Sequence, residues 1–386
     1  MLGIVRRLLL VVSVTVFADT MLFSAIVPLI PHFKDGLDLS KLEAGILVAS
    51  YGAGAVVAGI PSGLLAARVG AKRTSVAGLV VIALATFAFA FSTSALTLEV
   101  ARFAQGVGSA VTWCGALAWL TLATPSERRG RALGIVFSIA VLGFIVGPAV
   151  GALAELTSIR GTFVVIAILT ILVAAFASSF PAGREDAHPP NALRRALRNP
   201  SFFSAIWLVT VPSLFLGAVD LLVPLSLDSS DWGTIAIAVT FIVAALTEVG
   251  LAPVIGGFSD KRGRLTPIRA GLLLLATVGF LFTLADSPYL IAALVTAASI
   301  AASLIYSPST ALISDRAEAA EIPQGLGFGF MNTAWAAGVM IGPALGGAIA
   351  GSIGDAAPYA FCAVLALGTL VALRRTVATP TPAPAE

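Results

Sequence analysis

Charged residues and cysteines are scarce in this chain. Only 11% of its 386 residues are charged, 58% are hydrophobic, and the mean hydropathy is +1.00. No soluble domain needs so continuous an apolar sequence, whereas runs of about 20 apolar residues are what a lipid bilayer requires. Cys114 and Cys362 both fall in apolar segments, so they predict packing side chains and no disulfide framework.

Other signals are missing as well. No phosphate-binding loop of the form G-x-x-x-x-G-K-[ST] occurs, which argues against ATP as an energy source. Arg6 and Arg7 precede a long apolar run without a small-residue cleavage site, so we predict a retained first helix. Basic residues are confined to short loops, and the pI near 9.1 therefore does not indicate nucleic-acid binding. We predict no cofactor and no metal.

Apolar segments of membrane-spanning length recur along the chain, and we predict an all-α membrane protein. The twelve predicted spans are 8–31, 43–67, 74–93, 95–122, 132–156, 159–180, 201–226, 234–258, 267–286, 288–313, 324–350 and 356–373. Nineteen of the 23 lysine and arginine residues fall on one side of these spans. The positive-inside rule therefore predicts that both ends of the chain are cytoplasmic. The near absence of long loops favours the inner (plasma) membrane of a prokaryote.

One glycine-rich segment occurs twice. Residues 143–152 and 338–347 both read G-x-x-x-G-P-x-x-G-[AG], and the second copy begins 195 residues after the first. Glycines four apart, such as Gly143 and Gly147, remove side chains from one stripe of a helix, so another helix can approach closely. A proline in such a segment removes a backbone donor and permits a bend.

A second repeat supports a duplicated chain. Residues 63–73 and 256–264 each follow the second span of a half and end in a basic cluster, 193 residues apart. We predict two pseudo-symmetric six-helix bundles facing a central cavity. The predicted divisions are an N-terminal bundle over 1–180, a cytoplasmic linker over 181–200, a C-terminal bundle over 201–375 and a disordered tail over 376–386.

These segments resemble those of the major facilitator superfamily over nearly the whole chain. The residues that carry the resemblance are 19–31, 63–73, 101–109, 127–130, 143–152 and 256–264. The glycine-proline segment is similar to the fifth-helix signature of the family's proton-coupled drug antiporters. Within the family, the chain looks most like vesicular monoamine transporters and their bacterial relatives. The resemblance implies alternating access, with protons exchanged for amphipathic cations or monoamine-like compounds.

Three positions depart from the family pattern. The vesicular group has carboxylates in the tenth and eleventh helices, where this chain has Ser303 and Asn332. The coupling scheme of that group therefore cannot be transferred whole. In the first loop motif, residues 63–73, Ala67 stands where the family has an aspartate. The first half therefore lacks an acidic residue that could pair with a basic one and hold one conformation closed.

Carboxyl groups inside predicted spans are costly in lipid, so each is a functional candidate. Asp19 lies near the middle of the first span, where we predict that it binds the substrate's ammonium group and a proton in alternation. The alternative is a structural partner for Arg102 or for a backbone break.

Asp220, about 8 Å from the outer end of its span, matches an acidic position of the vesicular group or is an interfacial carboxylate. We predict Glu248 to be a proton carrier, because desolvation favours the neutral carboxyl group. Its alternative role is an interhelical hydrogen-bond donor.

Arg102 is the basic residue within a span. We predict that it bonds the backbone of the first helix or a carboxylate, with Gln105 one turn further on the same face. Glu99, one turn outward, is its predicted partner at the interface.

Other residues are candidates to line the cavity or to gate it. The cavity candidates, each of which could equally be a packing residue, are Tyr51, Trp113, Trp119, Tyr306, Asn332 and Trp335. Asp260, Arg262 and Arg264 are predicted to pair across the halves and hold one conformation closed. Also assigned to gating are Arg68, Gly143, Gly147, Pro148, Gly342 and Pro343.

The sequence therefore predicts a monomeric, proton-coupled transporter and not an enzyme. Its expected partners are a small-molecule substrate that is an organic cation, protons as the coupling ion, and the lipid bilayer. Two alternatives stay open. One is a proton-coupled exporter of neutral compounds, such as sugars or chloramphenicol-type antibiotics, or of anionic ones. The other is a membrane sensor on the same fold that does not transport.

Overall fold

The computed structural model describes residues 2–124, 126–182, 192–322 and 324–377, which are almost entirely helical and contain no β-strand. The elements are α1 Leu2–Ser24, a 3₁₀ turn Val27–Leu29, α2 Ile30–Gly36, α3 Lys41–Val69, α4 Ala71–Ala90, α5 Ala95–Ala123, α6 Ser126–Leu156, α7 Ile159–Ser178, α8 Ala192–Leu197, α9 Pro200–Asp228, α10 Thr234–Arg262, α11 Leu265–Phe282, α12 Pro288–Ala319, α13 Gln324–Ser352 and α14 Ala356–Val377.

Twelve helical segments of the described chain are long and apolar enough to cross a membrane, which confirms the predicted number. Six lie before residue 182, in what we term the first half, and six lie after residue 192, in the second half. The first span comprises α1, the 3₁₀ turn and α2. Its helix is interrupted because Pro28 and Pro31 lack the N–H groups that continue a helix.

Some predicted boundaries shift, and some cannot be compared. The third span ends at Ala90 and the ninth at Phe282, a few residues earlier than predicted. Residues 183–191 of the predicted linker and the predicted tail from 378 onward lie outside the described residues. At the start of the second half, the Asn199 side chain accepts a hydrogen bond from the Phe202 backbone N–H at 3.0 Å and so caps α9.

The repeated glycines allow equivalent helix contacts in the two halves. A Cβ added to Gly143 or Gly147 of α6 would collide with Thr20 or Ser24 of α1. A Cβ on Gly342 of α13 would collide with the backbone of α9. Glycine is therefore what lets α6 pack on α1 and α13 pack on α9, as the repeat predicts. Pro148 and Pro343 both lie inside their helices, which continue through them.

A row of glycines on α3 forms the main contact between the halves. Gly45, Gly52 and Gly59 lie seven residues apart and face α13, and we call them the glycine seam. A Cβ on Gly45 would collide with the carbonyl oxygen of Pro343, and one on Gly52 would lie 2.7 Å from the Met340 nitrogen. The next glycine along the helix, Gly63, has no atom within 4 Å of such a Cβ. The two helices therefore diverge beyond the seam.

Polar contacts between the halves lie at one end of the molecule. Lys41 of α3 pairs with Asp355, just before α14. Glu155 of α6 accepts a hydrogen bond from the Thr234 hydroxyl of α10, and its carboxylate lies 3.7 Å from His32 Nδ1. The basic loops lie at the other end of the molecule, which we call the basic end. We call the end that carries these polar contacts the opposite end. The halves meet at the opposite end.

At the basic end, the contacts of the predicted lock among the residues that the structure describes lie within the second half. Asp260 pairs with Arg264, and Arg264 Nε lies 3.5 Å from Asp315 Oδ2, so all three residues belong to the second half. Arg262 lies over the Phe258 ring, 6.0 Å from its centroid. Among the described residues, Asp260 and Arg264 therefore pair within the second half, and pairing across the halves stays a prediction. Arg68 of the first half is exposed.

Candidate functional site

Asp19 is the centre of a hydrogen-bond network in the first half. Its side chain is only 3% exposed, and Oδ1 accepts a bond from the Tyr51 hydroxyl at 3.0 Å. Oδ2 accepts two bonds of 2.7 Å, from the Ser109 hydroxyl and from Trp113 Nε1. Ser109 and Trp113 lie four residues apart on one face of α5, which brings both donors to the same oxygen. A carboxylate with three donors is well satisfied despite its burial.

Arg102 stabilises the interrupted end of α1. Its Nη1 donates to the carbonyl oxygen of Leu22 at 3.4 Å and to Gln105 Oε1 at 3.0 Å, and its Nη2 donates to the carbonyl oxygen of Phe23 at 3.5 Å. A cation at a helix C-terminus is favoured by the exposed carbonyl groups and the helix dipole. The guanidinium also lies 4.8 Å from the centroid of the Tyr51 ring. The predicted bond to the first-helix backbone is therefore present.

The predicted pairing of Arg102 with Glu99 is not found. Every hydrogen bond that Arg102 makes to a described residue leads to α1 or to Gln105, and no ion pair with Glu99 is formed. Glu99 lies one turn nearer the helix end and is half-buried. The unpaired carbonyl groups of α1 draw the guanidinium inward instead. Gln105 Nε2 donates to Thr86 Oγ1 at 3.1 Å, so Gln105 helps to fix Arg102 within the half.

An aromatic cluster connects this network to the second half. Phe23 lies 5.2 Å from Trp335 of α13, 5.0 Å from Tyr51 and 5.7 Å from Phe144, measured between ring centroids. Trp335 is thus brought to the first-half network as a cavity candidate. Trp119 is not, because it is 1% exposed and packs in the core of the first half.

The second half contains a sparser polar group. The Tyr306 hydroxyl of α12 shares a 2.8 Å hydrogen bond with the Ser213 hydroxyl of α9. Tyr306 follows Trp113 by 193 residues, the period of the loop repeat, so the two side chains hold equivalent places in the halves. Asp220 and Glu248 are half-buried. Neither carboxyl group forms a hydrogen bond or ion pair with any described residue.

Both carboxyl groups lie deep along their helices. Glu248 is 14 residues from either end of α10, or about 21 Å at 1.5 Å per residue. Asp220 is 8 residues from the end of α9, or about 12 Å, which is deeper than predicted because the helix runs on to Asp228. Asn332 is half-buried one turn before Trp335, and Ser303 is 3% exposed.

Two hydroxyl groups of these networks were missed by the sequence analysis. Ser109 ends the segment 101–109, which was noted only because it resembles the family. Its spacing of four residues from Trp113 places both side chains on one face of the helix and could have identified it. Ser213 had no distinguishing signal, because serine is common in membrane helices.

Comparison with known proteins places the chain in a family. The model of the Major Facilitator Superfamily matches residues 12–324 and 270–386. The chain is 27% identical to Multidrug resistance protein 1 of Bacillus subtilis (strain 168), over 83% of this chain and 84% of that protein. It is 25% identical to the Synaptic vesicular amine transporter of Mus musculus, over 83% of this chain and 63% of that protein.

Two further matches bear on length and fold. The chain is 29% identical to MFS-type transporter ppzB of Metarhizium rileyi (strain RCEF 4871), over 42% of this chain but only 35% of that protein. A bacterial homologue of the human lysosomal transporter Spinster, in an inward-facing and unoccupied conformation, superposes with a TM-score of 0.72 at 16% identity. That match covers 97% of this chain and 95% of the other. With twelve spans and a family match over most of its length, the chain belongs to the Major Facilitator Superfamily of membrane transporters.

Proposed function

We propose that this transporter exports amphipathic organic cations in exchange for protons, and that Asp220 and Glu248 bind cation and proton in turn. The observation that carries the proposal is the contrast between the two halves. Asp19 has three hydrogen-bond donors, whereas the two second-half carboxyl groups have no described partner. A deep carboxylate without a partner is costly in a membrane, so it is expected to take up a proton or a cation.

This arrangement supports an exchange mechanism. A protonated carboxyl group is neutral, and a carboxylate paired with an ammonium ion is neutralised as well. The empty, charged form is the costly one, so conformational change is favoured when one of the two ligands is bound. Because proton and ammonium ion bind the same carboxyl groups, each displaces the other. Movement of one across the membrane is thereby coupled to movement of the other.

Asp19 has a different role in this proposal. Its three donors stabilise the ionised form and fill most of the space around its oxygens. Together with Arg102, it holds the interrupted first helix against α3 and α5. We therefore propose that Asp19 organises the first half, whereas the sequence predicted direct binding of substrate.

The relatives and the charge distribution support the substrate class and direction. One relative, 27% identical, is named for multidrug resistance, and another, 25% identical, is named for amine transport. With the basic loops in the cytoplasm, the halves diverge on the cytoplasmic side and meet on the outer side. We propose that the chain is a monomer in a prokaryotic inner membrane and that it loads the cation from the cytoplasm.

Proton release on adding a panel of cationic amines to detergent-solubilised protein tests this proposal. We expect release from the parent protein, about half as much from Glu248→Gln or Asp220→Asn alone, and at least tenfold less from the double variant, because each amide side chain removes one group that carries a proton. Glu318→Gln is the matched control, since Glu318 is exposed and lies outside the network. Amine binding without release would point to a facilitator or sensor. No response to any amine would favour a neutral substrate.

A further inference from the structure

A polar pocket lies at the opposite end of the second half, away from the central carboxyl groups. Its volume is about 300 Å³. Its polar lining consists of Ser226, Ser229, Ser230, Thr283, Asp286, Asp355 and Tyr359. The pocket is formed where the loops after α9, α11 and α13 come together. A volume of this size accommodates a small amine.

The lining presents oxygen atoms and negative charge. The hydroxyl groups of Ser229 and Ser230 both donate to the carbonyl oxygen of Ser226, at 2.9 and 3.0 Å. Their hydrogens are therefore used, and their oxygen lone pairs remain as acceptors. Asp286 is exposed and forms no ion pair with any described residue. Such a lining favours a cation with N–H groups to donate.

Tyr359 adds an unsatisfied polar group. Its side chain is 5% exposed and its ring stacks on Phe282, with 4.5 Å between centroids. Its hydroxyl forms no hydrogen bond with a described residue, although the residue borders the pocket. Because the rest of the side chain is enclosed, the pocket is where this hydroxyl group is reached, and a ligand there would supply its hydrogen-bond partner.

The pocket shares one residue with the contact between the halves. Asp355 pairs with Lys41 of α3, and the two side chains are 51% and 35% exposed. Water screens an ion pair this exposed and leaves it weak, so a cation in the pocket can compete for the carboxylate. Loss of the pair removes a polar contact that keeps the halves together at this end.

We propose that this pocket binds an organic ammonium ion, which takes Asp355 from Lys41 and so favours opening of the opposite end. The substrate class rests on the proposed function, but the site is separate from Asp220 and Glu248. A metal ion is the weaker fit, because no cluster of three histidine, cysteine or acidic side chains within the described ranges could hold one. The ammonium ion makes its hydrogen bonds to the serine oxygens and its charge contacts to Asp286 and Asp355.

The test measures the distance between spin labels on Thr157→Cys and Ser352→Cys, one exposed position in each half. Cys114 and Cys362 are replaced by alanine, and the background is Asp220→Asn with Glu248→Gln, so the central site is disabled. With phenethylammonium chloride at millimolar concentration, we expect at least a threefold rise in the population with the longer distance. The Asp286→Asn, Tyr359→Phe double variant, which leaves Lys41 and Asp355 intact, abolishes the rise.

Controls separate this site from ionic strength and from the central exchange. Lys41→Met is expected to show the longer distance without amine, and Asp231→Asn, outside the pocket, to respond like the parent. An equal response in the Asp286→Asn, Tyr359→Phe variant, or to sodium chloride or calcium chloride alone, would overturn the proposal. If the label distance responds to the amine but the parent protein releases no protons, only the central exchange is refuted. If the parent protein releases protons normally but the label distance does not respond, only this pocket is refuted.

Discussion

Asp19→Asn is expected to destabilise the protein, whereas Asp220→Asn is not. An asparagine side chain has one acceptor oxygen, so its NH₂ group must face at least one of the donors Tyr51, Ser109 and Trp113. An unsatisfied buried donor costs about 1–3 kcal/mol. The change also removes a negative charge near the buried Arg102 guanidinium. Thermal unfolding of the solubilised protein is expected to begin several degrees lower.

Asp220→Asn is the matched comparison. It makes the same chemical change on the first helix of the other half, at a carboxyl group without a described partner. Removal of an unpaired charge is expected to leave the melting temperature unchanged or raised. If Asp19→Asn instead kept the parent's melting temperature but lost amine-driven proton release, Asp19 would bind substrate directly. The organising role proposed for the first-half carboxyl group would then be wrong.

Gly45→Leu is expected to prevent the halves from closing at the opposite end. A Cβ at this position collides with the carbonyl oxygen of Pro343 and lies 3.2 Å from Leu221 Cδ2. Backbone cannot move aside as a flexible side chain can, so the overpacking falls on the conformation in which the halves meet. A cost of about 1–3 kcal/mol changes the ratio of two conformations by about 5- to 150-fold. We expect the longer label distance to predominate and transport to fall about hundredfold.

Gly63→Leu on the same helix is the control. It gains the same helix propensity, about 1 kcal/mol relative to glycine, but no atom lies within 4 Å of its added Cβ. The label distance at positions 157 and 352 is therefore expected to match the parent. Normal transport by Gly45→Leu with an unchanged distance would show that the seam tolerates side chains.

Hydropathy and repeats were sufficient to predict the twelve spans and a close helix approach at the repeated glycine segments. The segments containing Gly143 and Gly342 lie on equivalent partners, α1 and α9, because a missing side chain has the same consequence in both halves. The pairing of Asp19 with Tyr51 was beyond such reasoning. A span's rotation about its own axis depends on all of its neighbours, and average hydropathy carries no information on it.

Two contacts show how tertiary geometry chooses among possible partners. Arg102 was expected to bond the first-helix backbone or a carboxylate, with Glu99 beside it, and it bonds the carbonyl groups at the break in α1. Asp260 was expected to pair with the other half, and its partner among the described residues is Arg264, one turn away. Charge and spacing predict which groups need partners, but not which partners come within reach.

The glycine seam also bears on the speed of the conformational cycle. At Gly45 and Gly52 the closest contacts are made by backbone atoms of α13 against bare glycine, and at Gly59 by the short Thr333 side chain. When interdigitated side chains separate, each must leave its rotamer well, and these steps add to the activation enthalpy. Along a smooth backbone surface, few such steps are required. The glycine seam, where the halves approach most closely, is thus also a contact along which they can rotate with a low activation enthalpy.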